Sequence, residues 1–231
     1  MKPFRPINPP KIVLASASPR RAEILRNAGF SFEILCGSID ETPLSGEPAH
    51  EYVLRLAREK GCAAAKIFGE GSKASPDPAS ESATEPAPGS TLIVAADTAV
   101  AIGKEILGKP SSVEDARRML RLLGGRTHEV LTGLSVRKVP GSAEISGVET
   151  TRVAFLPLSD EDISSYISTG EPFDKAGAYG IQGIGGRYVE RIEGCYFNVM
   201  GLPLSRLWRA LREFGWDNPG QSKPISPTDN R

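Results

Sequence analysis

The sequence predicts an α/β protein built on a mixed β-sheet. Apolar runs with the length of strands alternate along the chain with amphipathic segments that have the period of helices. Residues 91–96 (TLIVAA) are continuously apolar, as expected for a strand covered on both faces. Residues 129–139 and 148–156 flank a turn at Pro140-Gly141, which indicates an antiparallel hairpin.

Local sequence patterns predict two strands and two helices before residue 70. A strand over 12–15 precedes a helix over 19–28, for which Ser18 is a suitable N-cap and Gly29 a suitable end. Pro19 suits the first helical position. A strand over 32–36 and a helix over 48–68 follow.

Beyond the strand over 91–96, the pattern continues with short elements. Two short strands within 99–107 turn at Gly103, and the hairpin is flanked by helices over 113–123 and 160–168. Capping boxes are predicted at the start of both helices, from Ser112 with Asp115 and from Ser159 with Asp162. A strand over 187–192 and a helix over 203–214 complete the pattern.

The length of 231 residues fits one large α/β domain or two small ones. Residues 71–90 hold four prolines, five serines and no large apolar side chain, which predicts disorder. This segment is either an insertion within one domain or a linker between two. Since neither half shows a complete core, we predict one domain over 12–215 with an inserted loop. An N-terminal extension over 1–11 and a flexible tail over 216–231 flank it.

The composition excludes several classes of protein. A net charge of zero gives no general affinity for nucleic acid or for an acidic membrane surface. Three widely spaced cysteines indicate reduced thiols and no disulfide framework or zinc site. The N-terminus does not resemble a secretory signal, and no apolar run approaches the roughly 18 residues that span a bilayer. We therefore expect a cytoplasmic protein with neither a membrane nor a nucleic-acid partner.

The most informative segment is LASASPRR, residues 14–21. The first turn of a helix presents free N–H groups and partial positive charge, and Arg20 and Arg21 add two cations there. Such an arrangement suits a phosphate chain. The alternative is a solvated basic pair at a helix start.

Carboxylates follow two of the predicted strands. Asp97 stands at the end of 91–96, and ligands of open α/β sheets bind beyond strand ends. Asp40 and Glu41 follow the strand over 32–36, and neighbouring carboxylates suit Mg²⁺. The alternatives are a turn-forming aspartate and a surface acidic pair.

Two lysines and a glycine-rich segment complete the candidates. Lys60 lies on the apolar stripe of its helix, where it either snorkels to solvent or enters a site. Lys109 lies in the tight loop LGKP and either faces a phosphate or is solvated. Gln182, within a segment dense in glycine, is able to read a base edge, although the purpose of the glycines stays open. With no plausible Ser-His-Asp set, a magnesium-dependent reaction at a phosphate fits best.

These motifs together resemble the Maf family of nucleotide pyrophosphatases. The resemblance covers roughly residues 12–214 and is carried by the segments LASASPRR, IDE, REK, AADTAV, LGKP, THEVLTG, GEPFDKAGAYGIQG and NVMGLPL, in that order. It implies an inosine-triphosphatase-like fold with an elongated mixed sheet. It also implies hydrolysis of a nucleoside triphosphate to the monophosphate and pyrophosphate with a divalent metal, Mg²⁺ or else Mn²⁺ or Co²⁺, by a homodimer.

The resemblance also assigns roles to residues. It implies that phosphates bind Ser16, Arg21, Lys60 and Lys109, that Glu41 and Asp97 hold the metal, and that Asp97 accepts a proton from the attacking water. The residues Arg20, Thr98 and Gln182 match the branch that acts on dTTP and UTP. Two alternatives stay open: a nucleotide-binding regulator of septum formation, and a pyrophosphatase of the same family with another base preference.

Overall fold

A computed structural model of the chain describes residues 10–71 and 90–216. The predicted N-terminal extension, disordered insertion and flexible tail lie outside the described residues except at their edges. At those edges, Lys11 begins the first strand and Trp216 packs against Phe30, with ring centroids 5.0 Å apart. The packed structure therefore extends beyond 12–215, to the buried Pro10 at one end and to Trp216 at the other.

The described residues form the predicted α/β fold with a mixed sheet. The strands are β1 (Lys11–Leu14), β2 (Glu33–Ile34), β3 (Thr91–Ile102), β4 (Glu105–Leu107), β5 (Thr127–Val139), β6 (Glu144–Phe155) and β7 (Val189–Glu193). The α-helices are α1 (Pro19–Asn27), α2 (Ala49–Gly71), α3 (Val113–Leu123), α4 (Asp160–Ser168), α5 (Tyr196–Val199) and α6 (Leu204–Glu213). Three 3₁₀ turns lie between α4 and β7, at Glu171–Asp174, Ala176–Ala178 and Ile184–Tyr188.

One sheet carries all of these strands, in the order β2-β1-β3-β5-β6-β7. β1 runs parallel to both β2 and β3, whereas the pairs β3–β5, β5–β6 and β6–β7 are antiparallel. The long strands β3, β5 and β6 make the sheet elongated. The predicted hairpin is present, and its second strand begins at Glu144, four residues before the expected start.

Helices cover both faces of the sheet. On one face, α2 packs on odd-numbered residues of β3 such as Ile93 and Ala99. On the other face, α1 and α6 bury Leu92 and Val94 at one end, while α3 and α4 bury Val100 at the other end. This alternation is the period-2 geometry of a strand buried on both sides.

The strand β3 has an open stretch along one edge. β5 pairs with β3 from Thr91 to Ala101, so β1 and β4 share the opposite edge. The pairing with β1 reaches only Val94, and the pairing with β4 begins at Val100. Between these two points β3 has no strand neighbour on that edge, and this gap opens into the candidate site.

Several local predictions need correction. Asp97 does not end a strand, because β3 continues through it to Ile102. Ser18 occupies the N-cap position of α1 with extended backbone, but its side chain makes no capping bond. The full capping box occurs at Ser159 of α4, whereas at α3 only the Ser112 half forms, since Asp115 bonds to Ser111 instead.

Candidate active site

A cleft of about 780 Å³ opens at the gap along β3. It lies between the loop that joins β1 to α1 and the glycine-rich segment that follows α4. All nine residues predicted to form the site line it: Ser16, Arg20, Arg21, Glu41, Lys60, Asp97, Thr98, Lys109 and Gln182. Residues that are far apart in sequence therefore meet in one place.

Arg21 lies at the start of α1, on the α1 face of the sheet. Its Nη1 donates to Oγ of Ser16 at 2.9 Å, and its Nη2 donates to Oγ1 of Thr98 at 3.0 Å. Its Nε donates to the carbonyl of Gly201 at 2.8 Å. Three bonds fix the plane of the guanidinium and leave two of its five N–H groups for a ligand. Burial lowers the pKa of Arg21, but arginine stays charged at any working pH.

Thr98 connects Arg21 to the inside of the sheet. Its hydroxyl lies 3.0 Å from that of Thr132, which in turn donates to the carbonyl of Asn198 at 3.2 Å. Thr132 and Asn198 are fully buried. The guanidinium is therefore connected through Thr98 to the buried hydroxyl of Thr132. Thr132 and Asn198 lie in two of the family motifs, THEVLTG and NVMGLPL, but nothing in those motifs assigned either residue a role.

Lys60 lies on the opposite face of the sheet, where α2 packs on β3. Its Nζ is 2.6 Å from Oδ1 of Asp97 and 2.8 Å from Oε1 of Glu41. The lysine thus enters the site and does not snorkel away from it. Asp97 faces α2 while the next residue, Thr98, faces Arg21, because neighbouring side chains of a strand point to opposite faces.

The loop that presents Glu41 is clamped to α2. Tyr52 donates its hydroxyl to the carbonyl of Glu41 at 3.0 Å, and Arg55 bonds to Thr42 and to both carboxylate oxygens of Glu47. Bonding to Arg55 lowers the pKa of Glu47 to about 2. Asp40 does not enter the cleft and instead accepts from the backbone N–H of Thr42 at 2.9 Å.

The wall of the cleft that faces the β1–α1 loop consists of two loops, one that carries Lys109 and one within the glycine-rich segment. The N–H of Gly177 donates to the carbonyl of Gly108 at 3.0 Å, which ties the Lys109 loop to the glycine-rich segment. Arg20 reaches across the cleft mouth, with Nη2 3.4 Å from the carbonyl of Asp174. Gln182 is exposed on this wall.

The electrostatics of Asp97 are those of a buried acid with a cationic partner. Burial raises its pKa above the usual value, and the charges of Lys60 and Arg21 oppose that rise. A buried carboxylate held this way keeps few waters of its own and is a stronger base than an exposed one.

The donor set of the cleft fits a hard divalent cation. Glu41 and Asp97 bring two carboxylates close together, since each lies within 2.8 Å of the Lys60 ammonium nitrogen. No cluster of three or more His, Cys, Asp or Glu suited to a metal occurs within 10–71 and 90–216. Two carboxylates suit Mg²⁺, which commonly takes its remaining ligands from water and substrate phosphates.

The fold and the cleft define an α/β protein whose cations and carboxylates suit a phosphorylated ligand. The Maf-like protein family matches residues 11–214, so the chain belongs to the Maf family. The chain is 46% identical over 217 residues to a dTTP/UTP pyrophosphatase of Anaeromyxobacter sp. strain Fw109-5, covering 91% of this chain and 94% of the relative. It is 47% identical over 206 residues to a dTTP/UTP pyrophosphatase of Carboxydothermus hydrogenoformans, covering 89% of this chain and all of the relative.

Among the residues that the structure describes, none of the helices has both the length and the apolar character needed to cross a bilayer.

Proposed function

We propose that this protein is a nucleoside triphosphate pyrophosphatase that hydrolyses dTTP and UTP to the monophosphate and pyrophosphate. One observation carries the proposal: the ammonium of Lys60 joins the carboxylates of Glu41 and Asp97 in the same cleft that holds Arg21. The names of the relatives supply the substrate class.

Phosphate binding is assigned to Ser16, Arg21, Lys60 and Lys109. The two N–H groups that Arg21 leaves unused are able to hold two phosphate oxygens at once. Ser16, at the carboxyl end of β1, already bonds to Arg21, so its hydroxyl and the guanidinium form one binding surface. Together these groups offset the charge of the triphosphate and of the departing pyrophosphate.

Metal binding is assigned to Glu41 and Asp97, with Mg²⁺ as the first candidate and Mn²⁺ or Co²⁺ as alternatives. When bound, a divalent cation supplies charge neutralisation on the phosphate oxygens. Lys60 contacts both carboxylates, so it must share them with the cation or move toward the phosphates.

Asp97 is proposed to accept the proton of the attacking water. The water oxygen forms a bond to the α-phosphorus while the bond from that phosphorus to the oxygen bridging to the β-phosphate breaks. Pyrophosphate leaves with the bonding electron pair, and the proton of the water goes to Asp97. Asp97 lies in the same cleft as Arg21 and Lys60, which places its carboxylate beside the groups assigned to the phosphates.

Base preference is assigned to Arg20, Thr98 and Gln182, which line the cleft. Gln182 is exposed and carries both a donor and an acceptor, as the recognition of a pyrimidine edge requires. Thr98 lines the cleft and also accepts a hydrogen bond from Arg21 at 3.0 Å, so it contacts the group assigned to the phosphates.

The proposal also covers the oligomeric state of the protein and the compartment in which it acts. We propose a homodimer that acts in the cytoplasm, without nucleic-acid or membrane partners. All three cysteines are free thiols, in keeping with a reducing compartment.

The decisive experiment is a substrate panel with detection of released pyrophosphate. dTTP, UTP, CTP and 7-methyl-GTP are each tested with Mg²⁺, Mn²⁺, Co²⁺ and excess chelator. We expect pyrophosphate from dTTP and UTP only when metal is present. Faster turnover of 7-methyl-GTP than of dTTP and UTP would show that the enzyme has another base preference. Nucleotide binding without release of pyrophosphate would favour a regulatory binding protein.

A further inference from the structure

The glycine-rich segment after α4 is folded around one carboxylate, that of Glu171. Oε1 of Glu171 accepts from the hydroxyl of Tyr166 at 2.8 Å and from the N–H of Gly185 at 3.2 Å. Oε2 accepts from the N–H of Ile184 at 2.8 Å. The hydroxyl of Tyr166 also accepts from the N–H of Gly180 at 3.2 Å. A side chain on the first 3₁₀ turn therefore fixes the backbone on both sides of Gln182.

The glycines of this segment are explained by the same carboxylate. A Cβ atom on Gly183 would lie 2.4 Å from both carboxylate oxygens of Glu171. A Cβ on Gly185 would lie 2.4 Å from the hydroxyl oxygen of Tyr166, and one on Gly180 would lie 2.6 Å from Cε of Lys175. The backbone needs glycine here in order to close around Glu171 and its neighbours.

Glu171 is ionised at neutral pH. Partial burial opposes its ionisation, but hydrogen bonds from Ile184, Tyr166 and Gly185 outweigh that effect and lower its pKa. Bonds to an ionised acceptor are stronger than bonds between neutral groups. Lys175 adds to the arrangement by donating to the carbonyl of Glu171 at 2.9 Å.

The loop that Glu171 holds is the wall of the cleft that carries Gln182. Ile184 and Gly185, which bond to Glu171, follow Gln182 by two and three residues, and Gly180 precedes it by two. Gln182 lines the cleft, whereas Glu171 does not. Any influence of Glu171 on the nucleotide must therefore pass through the loop.

We propose that Glu171 is a positioning residue that sets the place of Gln182, and through it the binding of the nucleobase. This inference rests on the proposed function. It assigns the glycines of this segment a scaffolding role around a partly buried carboxylate.

The test compares Glu171→Gln with Gln182→Ala and with the double variant. In Glu171→Gln, an amide N–H group faces the N–H of Ile184 or Gly185 in place of an acceptor. We expect kcat/KM for dTTP to fall by about 10- to 100-fold, mainly through KM, because Asp97 and Lys60 are untouched. If both residues act through one loop, the double variant should lose no more than about threefold beyond the stronger single variant.

Two further variants keep the test decisive. Glu193→Gln alters an exposed glutamate on β7 that bonds to Arg152, and it should leave kcat/KM within about twofold. Tyr166→Phe removes the hydroxyl alone, and it should give a smaller loss that is likewise non-additive with Gln182→Ala. Tyr166→Phe replaces Glu171→Gln in the comparison with Gln182→Ala if the Glu171 variant does not fold.

Amide hydrogen exchange provides a readout that does not depend on activity. The N–H groups of Ile184 and Gly185 should exchange at least about tenfold faster in Glu171→Gln, and unchanged in Glu193→Gln. Additive losses in the double variant, or unchanged exchange, would overturn the inference. Absence of nucleotide turnover by the unaltered protein would overturn the proposed function instead, and the exchange rates would still decide whether Glu171 holds the loop.

Discussion

The ammonium nitrogen of Lys60 lies 2.6 Å from Oδ1 of Asp97, and both side chains are largely shielded from solvent. Lys60 comes from α2 and Asp97 from the middle of β3, so this contact joins the helix to the sheet at the cleft. The same nitrogen lies 2.8 Å from Glu41. Removing either partner therefore affects both the charge of the site and the packing of α2.

Replacing Asp97 with asparagine should nearly abolish turnover while the fold survives. The amide keeps the shape of the side chain and cannot accept a proton as a carboxylate does. We expect the rate of pyrophosphate release to fall by about 10²- to 10⁴-fold, with an unchanged circular dichroism spectrum. Asp160→Asn, at an exposed carboxylate paired with Arg121, should retain full activity. Near-normal release by the Asp97 variant would exclude it as the base.

Replacing Lys60 with methionine should lower stability in a way that divalent metal partly restores. The change removes the cation between two neighbouring carboxylates. Breaking a buried pair costs about 3–5 kcal/mol of the free energy of unfolding, and because Glu41 is more than half exposed we expect a loss of about 3 kcal/mol. Millimolar Mg²⁺ should recover part of that loss, because it replaces the missing charge between Glu41 and Asp97. Chemical denaturation with and without Mg²⁺ measures both effects.

The matched control for that experiment is Lys66→Met, which removes an exposed lysine from the same helix. It should change the free energy of unfolding by no more than about 0.5 kcal/mol, with no added response to metal. A Lys60 variant that Mg²⁺ leaves unchanged would argue against Glu41 and Asp97 as metal ligands.

The sequence was sufficient to find nine polar and charged side chains that line the cleft, although Tyr52, Asp174 and Lys175 also line it and were not predicted. Lys60 stood out because a charge on an apolar helical stripe needs a partner. Asp97 stood out after an apolar run, although the reason differs from the one expected. The strand does not end there. Its edge opens because β1 stops pairing at Val94, and that depends on the partner strand.

No sequence pattern indicated which residues hold the cleft side chains in place. Tyr52 and Arg55 lie on adjacent turns of α2 and donate hydrogen bonds to the loop that carries Glu41. In the sequence, both are typical residues of an amphipathic helix. Glu171 bonds to Ile184, thirteen positions away, across a segment with no regular period. Such contacts depend on how irregular backbone folds back, which neither helical nor strand periodicity encodes.

Replacing Gly133 with alanine should weaken both the fold and the activity. Gly133 lies on β5 directly under α2, and a Cβ atom there would lie 2.0 Å from the carbonyl oxygen of Val53. The helix that carries Lys60 would have to move away from the sheet. We expect a loss of about 2–3 kcal/mol in the free energy of unfolding, measured by denaturant titration, and reduced pyrophosphate release.

Gly147→Ala is the matched change on the neighbouring strand. Its Cβ would meet only the end of the Arg206 side chain, at 2.8 Å, and that side chain can move aside. This variant should stay within about 0.5 kcal/mol of the unaltered protein. Equal losses in the two variants would mean that the contact with α2 is not what limits substitution at Gly133.

Stability should fall in mild acid because of His128. This residue is buried, its Nε2 lies 2.8 Å from the hydroxyl of Tyr179, and its Nδ1 has no partner among the described residues. Burial lowers the pKa of His128 from 6.5 to about 4. The unfolded chain therefore binds a proton near pH 6.5, which the folded protein binds only near pH 4. Neutral His128 therefore stabilises the folded protein fully above pH 6.5. As the pH falls from 6.5 toward 4, the free energy of unfolding decreases by about 3 kcal/mol.

Replacing His128 with glutamine tests that assignment, since glutamine retains a hydrogen-bonding group toward Tyr179 and does not titrate. The free energy of unfolding, measured from pH 7 to pH 4, should decline less steeply in this variant by about 3 kcal/mol over the range. His50 is exposed, so His50→Gln should leave the decline unchanged. An identical decline in the His128 variant would assign the acid sensitivity to carboxylates. A shallower decline would identify one buried imidazole, next to a tyrosine that lines the cleft, as the group that limits stability in acid.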